Sequence, residues 1–325
     1  MTTVMVLAGL VLLFVGGELL VRGAVRLAAG LGISSLVIGL TVVGFGTSTP
    51  EMVTSVQATL AGTPGIAIGN IVGSNIANIL LILGVSALIF PIVVNSTALK
   101  RDGATLLAVA LVFSAASASM TLGRGVGIVF VLTLVIYIAM VIRQERRAFV
   151  TDHGAVYDKA KALEGADPTL VQAAPEETSA FRSILFCVFG LALLIFGGTL
   201  LVNGAVALAQ QFGISDTIIG LTIVAVGTSL PELITSVIAA LRKQADVAFG
   251  NIVGSNIYNI LAIGGVTALI SPLDVPEQIL DFDIYAMILA SLVMVAFAWT
   301  SLRIGRREGA LLLAGYGAYI FFLLP

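Results

Sequence analysis

The stretch GLTVVGFGTSTPEMVTSV (residues 39–56), followed by GNIVGSNIANIL (69–80), decides the fold because the chain contains it twice. The second copy reads GLTIVAVGTSLPELITSV (220–237) and GNIVGSNIYNIL (250–261). Outward from these motifs, residues 14–91 align with 195–272 without a gap, and roughly 47 of the 78 positions are identical at an offset of 181. Repeats of 20–50 residues build solenoids; a period this long instead marks two whole half-molecules. Each copy carries one acidic residue, Glu51 and Glu232, deep inside an apolar run. Acidic side chains in such runs are costly at membrane depth and mark ion pathways.

Composition says which solvent surrounds these motifs. Of 325 residues, 58% are hydrophobic and 10% are charged, with a mean hydropathy of +1.11. Soluble globular chains carry about 25% charged residues, so most of this chain is expected in hydrocarbon. Apolar runs predict about ten membrane helices, at 4–22, 33–60, 65–90, 103–119, 124–142, 183–208, 214–240, 246–271, 283–301 and 309–324. The first run has no basic residue before it, unlike a secretory signal, and reads as a permanent span. The predicted fold class is an all-α membrane protein with two inverted five-helix repeats. The repeats comprise 1–142 and 183–325, joined by a polar linker at 143–182. Five spans per half is an odd number, which turns the second copy upside down, an arrangement typical of transporters. Basic residues, among them Arg22, Arg26, Lys100, Arg101, Arg143, Arg242 and Arg307, cluster on one side when the linker is placed in the cytoplasm. The positive-inside rule then puts both termini outside.

Around the two acids the residue types favour hard cations. Thr47 and Ser48 lie four and three residues before Glu51, so on a helix they share its face; Thr228, Ser229 and Glu232 repeat this. Pro50 and Pro231 precede the acids and weaken the backbone ladder four residues earlier, freeing carbonyls around 43–47 and 224–228. Ser74 with Asn78, and Ser255 with Asn259, add oxygen donors at i,i+4 on the next span. Asn70, Asn75, Asn251 and Asn256 read as structural bonds between helices. Carboxylate, hydroxyl, amide and carbonyl make an all-oxygen donor set suited to calcium or sodium. One histidine (His153) and one cysteine (Cys187) cannot build a soft-metal site. Two carboxylates supply two negative charges, which one calcium or two sodium ions balance. Leaving both charges unpaired in a low dielectric is expensive, and that favours exchange over leak. Glu18 and Arg22, four apart in FVGGELLVRGA, read as a local ion pair near the cytoplasmic end.

With GTSTPE and GTSLPE each followed at fixed spacing by GNIVGSNI, the chain resembles the cation/calcium exchanger superfamily, in particular the prokaryotic sodium/calcium antiporters. The likeness covers the whole chain in topology and about half of it in motif-bearing sequence. It implies ten helices around a central four-helix site. It maps the ion ligands onto Thr47, Ser48, Glu51, Ser74 and Asn78, and onto Thr228, Ser229, Glu232, Ser255 and Asn259. It adds the backbone carbonyls of Gly44 and Ala225. It implies calcium and sodium as transported ions, with no cofactor and no nucleic-acid partner, and it implies that the first long span of each half slides between states. Asn259 stands where some archaeal relatives carry Asp, which leaves one fewer titratable group. The competing readings are a calcium/proton or other cation/proton antiporter, a cation channel with a glutamate ring, and an intramembrane enzyme. The last has no positioned nucleophile and base to support it.

Overall fold

The computed structural model describes residues 2–163, 180–212 and 225–323. The chain is helical almost throughout, because a backbone in hydrocarbon must satisfy its polar groups within the segment. We number the helices α1 (Thr2–Leu31), α2 (Ser35–Thr47), α3 (Thr49–Leu60), α4 (Pro64–Ile89), α5 (Ala104–Ser117), α6 (Arg124–Leu163) and α7 (Ala180–Gln211). The series continues with α8 (Ala225–Thr228), α9 (Leu230–Leu241), α10 (Ala245–Ile270), α11 (Ile279–Ser301) and α12 (Arg306–Leu323).

Among the described residues six helices are long and apolar enough to cross a bilayer, and a seventh span is formed if bent α2 and α3 count together. Three expected spans fall short of that criterion for visible reasons. Helix α5 has only 14 residues. Helix α12 opens on Arg306, Arg307 and Glu308. The span expected at 214–240 begins outside the described residues. The linker expected from 143 is in part helix, because α6 continues unbroken to Leu163; residues 164–179 lie outside the described residues.

Helices α1 and α7 occupy equivalent places in the two copies, and they pack face to face in antiparallel sense. A Cβ on Gly9 would lie 2.7 Å from Leu201 N, one on Gly16 2.8 Å from Gly190 O, and one on Gly23 2.8 Å from Cys187 N. From the other side, Gly190 would meet Leu20 N at 2.5 Å and Gly197 would meet Leu13 N at 2.9 Å. These glycines recur every seven residues on both helices, so the two backbones touch along one seam. Lipid-embedded helices associate through such small-residue contacts because no hydrophobic driving force acts between them.

Two short antiparallel ladders tie one copy to the other at its ends. Ile92 and Val93 pair with Ile304 and Arg303, while Thr121 and Leu122 pair with Asp274 and Leu273. Buried Asp102 accepts a 2.8 Å bond from Tyr137, and its counterpart Asp283 accepts one of 2.8 Å from Tyr319. Arg101 also holds Asp102 in a forked pair at 2.6 and 2.9 Å. The second copy has Phe282 in place of Arg101.

Candidate functional site

The two motif-bearing spans break where the prolines direct. The first is bent by 42° between α2 and α3, with Ser48 at the break (φ −80°, ψ 7°). Ser229 occupies the same place between α8 and α9 (φ −89°, ψ 10°). Proline stands at the second position of both α3 and α9, where its missing N–H is harmless. Glu51 and Glu232 follow it in the first turn, where the positive end of the helix dipole favours a carboxylate. Each glutamate is 1% exposed.

The spacing that sets each serine three residues before its own glutamate does not decide its hydrogen-bond partner. Ser48 Oγ instead donates to Glu232 Oε1 at 3.0 Å, and Ser229 Oγ donates to Glu51 Oε1 at 3.0 Å. This reciprocal exchange links the acid of each half to a hydroxyl of the other. The other carboxylate oxygens, Glu51 Oε2 and Glu232 Oε2, are buried with no hydrogen-bond partner among the described residues.

Around this pair, α4 and α10 supply the remaining polar atoms. Asn78 and Asn259 are both 1% exposed, and the side-chain oxygen of each has no hydrogen-bond partner among the described residues. Both asparagines open a stretch of wider π-helical turns, Asn78–Leu83 and Asn259–Ile263. Such local unwinding recurs at functional sites. Ser255 Oγ donates to Gly44 O at 3.3 Å, a carbonyl that also accepts from Thr47 Oγ1 at 3.3 Å. Ser74 is buried and donates to Asn70 Oδ1 at 3.5 Å. Ala225 begins α8, and Thr228 ends it immediately before the break.

Two asparagines read from sequence as structural prove to hold the glutamates' own backbone. Asn70 Nδ2 donates to Glu51 O at 3.1 Å and to Ser55 Oγ at 2.8 Å. Asn251 Nδ2 repeats this with Glu232 O at 3.3 Å and Ser236 Oγ at 2.9 Å. Asn251 Oδ1 also accepts from Thr47 Oγ1 at 3.0 Å, which links the two halves. The identity of Asn and Ser in both copies was the available signal. Asn75 and Asn256 bridge no helices among the described residues; each bonds back to the carbonyl four residues earlier, Ile71 O and Ile252 O, at 2.7 Å. Replacing Asn251 by Ala should therefore leave buried carbonyl and hydroxyl groups unpaired, at about 1–3 kcal/mol each. Ion flux in vesicles is expected to fall about tenfold or more with the protein still folded; flux equal to wild type would show that this clamp does not position the site.

An apolar helical shell and a bent span beside buried acids, in the family and fold that follow, are those of an integral membrane transporter. The chain belongs to the sodium/calcium exchanger protein family, whose description fits residues 1–143 and 182–324. It is 39% identical to a putative antiporter, CaxA, of Alkalimonas amylolytica, over 99% of this chain and 98% of that one. It is 36% identical to the sodium/calcium exchanger MaX1 of Methanosarcina acetivorans, over 98% and 97% of the two chains. Among solved structures, the sodium-calcium exchanger NCX_Mj superimposes with a TM-score of 0.83 at 33% identity, covering 98% of this chain and 97% of that one. The protein is thus a multi-pass membrane antiporter of this family, and the ions it handles are cargo with no resident cofactor.

Proposed function

We propose that the protein exchanges sodium for calcium across the cell membrane by alternating access at one central site. The observation that carries this reading is the reciprocal bonding of Ser48 to Glu232 and of Ser229 to Glu51, with four further buried oxygens of these acids and of the asparagines on α4 and α10 that have no hydrogen-bond partner among the described residues. Those four are Glu51 Oε2, Glu232 Oε2, Asn78 Oδ1 and Asn259 Oδ1. Calcium takes six to eight oxygens at about 2.3–2.6 Å. An octahedron with metal–oxygen distances of about 2.4 Å has edges of about 3.4 Å. The hydroxyl–oxygen separations of 3.0–3.3 Å at Ser48, Ser229 and Ser255 are close to such edges. A cation entering the cluster replaces the bridging protons, because each hydroxyl can rotate its O–H away and offer a lone pair.

The ligands in this reading are Thr47, Ser48, Glu51, Ser74, Asn78 and the Gly44 carbonyl, with Thr228, Ser229, Glu232, Ser255, Asn259 and the Ala225 carbonyl. The architecture is ten spans in two inverted repeats, 1–142 and 183–325, with the 143–182 linker in the cytoplasm and both termini outside. The antiparallel seam between α1 and α7 supports the inversion, and its small-residue contacts hold the two helices together so that they slide as one pair.

Calcium-45 uptake into proteoliposomes under imposed sodium, proton and potassium gradients tests the coupling. An outward sodium gradient is expected to drive uptake, with a proton gradient alone driving little. Uptake that follows the pH gradient and ignores sodium would make the protein a cation/proton antiporter, with the glutamates carrying protons.

A further inference from the structure

The two copies share their central motifs, yet they differ sharply at one end of α1. A cleft of about 260 Å³ there is lined by Val21, Arg22, Val25, Arg26, Arg242 and Gln244. Arg22 and Arg26 stand one turn apart on α1, and Arg242 caps the C-terminus of α9. Shifting these positions by 181 residues shows what the other copy has. Asn203 and Ala207 replace Arg22 and Arg26, and Ala61 and Thr63 stand for Arg242 and Gln244. The repeat architecture therefore does not require the arginines.

Their charge is only partly answered. Glu18 takes bonds from both Arg22 and Arg242, the latter through Nε at 3.0 Å. Arg26 lies over the Phe186 ring at 5.5 Å, and no carboxylate pairs with it among the described residues. Among the described residues, three guanidinium groups thus face one carboxylate. Both salt-bridged arginines keep about half their surface open, at 50% and 49%. Leu241, beside Arg242 at the end of an apolar helix, is 59% exposed, which places the cleft where hydrocarbon gives way to the membrane surface. Forked guanidinium donors match phosphate oxygens, and Val21 and Val25 offer apolar wall beside them.

We propose that this cleft binds a phosphate-bearing anion, bridging α1 to the end of α9. At the bilayer surface the source with the right placement is an anionic phospholipid headgroup; dissolved phosphate shares the chemistry. Basic pockets between membrane helices take such groups. A ligand there ties the α1/α7 pair to α9, the helix that carries Glu232.

Native mass spectrometry of the full chain from micelles of equal parts phosphatidylglycerol and phosphatidylcholine reads the binding independently of transport. The wild type is expected to retain phosphatidylglycerol preferentially. Arg26→Gln should weaken that preference about fivefold, the effect of one basic side chain at an anionic surface, and Arg26→Lys should keep most of it. The thermal midpoint in phosphatidylcholine with added inorganic phosphate is the second arm. If phosphate stabilises the wild type but not Arg26→Gln while lipid preference is absent, the site stands and its ligand comes from solution. No lipid preference together with no phosphate effect overturns the proposal. So does a preference left unchanged by Arg26→Gln, which would mean only a diffuse excess of positive charge on that face.

Discussion

Glu51→Gln and Glu232→Gln are each expected to lower sodium-dependent calcium flux by at least about a hundredfold, since losing one partner of a buried charge set costs about 3–5 kcal/mol. The geometry separates this loss from a folding defect. Glutamine keeps an oxygen where Oε1 now accepts from Ser229 or Ser48, so the reciprocal bond between the halves survives. The change falls on Oε2, which has no hydrogen-bond partner among the described residues and becomes an NH2 group. That group donates where a cation needs a lone pair, and the site keeps one negative charge instead of two. A divalent ion is then left with net positive charge in a low-dielectric cavity. Because the two acids stand in equivalent environments, both variants should fail to a similar degree. Flux in proteoliposomes, read against equal amounts of correctly folded protein, decides it. Undiminished flux in either variant would remove that glutamate from the ion path.

The readability of the chain divides along physical lines. The acids, the hydroxyls and the prolines were legible because each is anomalous in an apolar run and each occurs twice. The breaks at Ser48 and Ser229 follow from Pro50 and Pro231 by local sterics alone. What the sequence could not show is which hydroxyl meets which carboxylate. That depends on how the halves dock: each serine lies three residues before its own glutamate, yet its hydroxyl donates to the glutamate of the other half. The clamps by Asn70 and Asn251 stayed hidden for a related reason: an amide suits an ion, a helix contact or a backbone carbonyl equally well. Residues 143–163 read as linker because they are polar, yet helix propagation needs no apolar face, and α6 carries through them. The pairing of Glu18 with Arg22 was readable from an i,i+4 spacing, whereas Arg242, 224 residues away, was not.

Gly254→Ala is expected to disable the transporter although position 254 carries no polar side chain. In α10, a Cβ at this position would lie 2.3 Å from Leu40 O and 2.8 Å from Leu40 Cα. Both are backbone atoms of α2, so no side-chain rotation relieves the overlap and one helix must move. Gly250, one turn earlier, makes the same kind of contact, 2.5 Å from Leu36 O. The two glycines thus seat α10 against α2 along its length. The next residue, Ser255, donates to Gly44 O one turn beyond Leu40. Pushing the helices apart therefore pulls a hydroxyl and a carbonyl of the cation cluster away from each other. Overpacking of this kind costs about 1–3 kcal/mol, which corresponds to a melting temperature lower by roughly 5 °C. Flux should fall more steeply than stability, because misplacement of a coordinating group by about 1 Å is enough to cost about a hundredfold. Gly315→Ala is the matched control: its Cβ would meet only the Leu80 side chain at 3.7 Å, an ordinary contact. It should change neither melting temperature nor flux. A Gly254→Ala protein that melts and transports like the wild type would show that α2 and α10 are not seated against each other through this glycine.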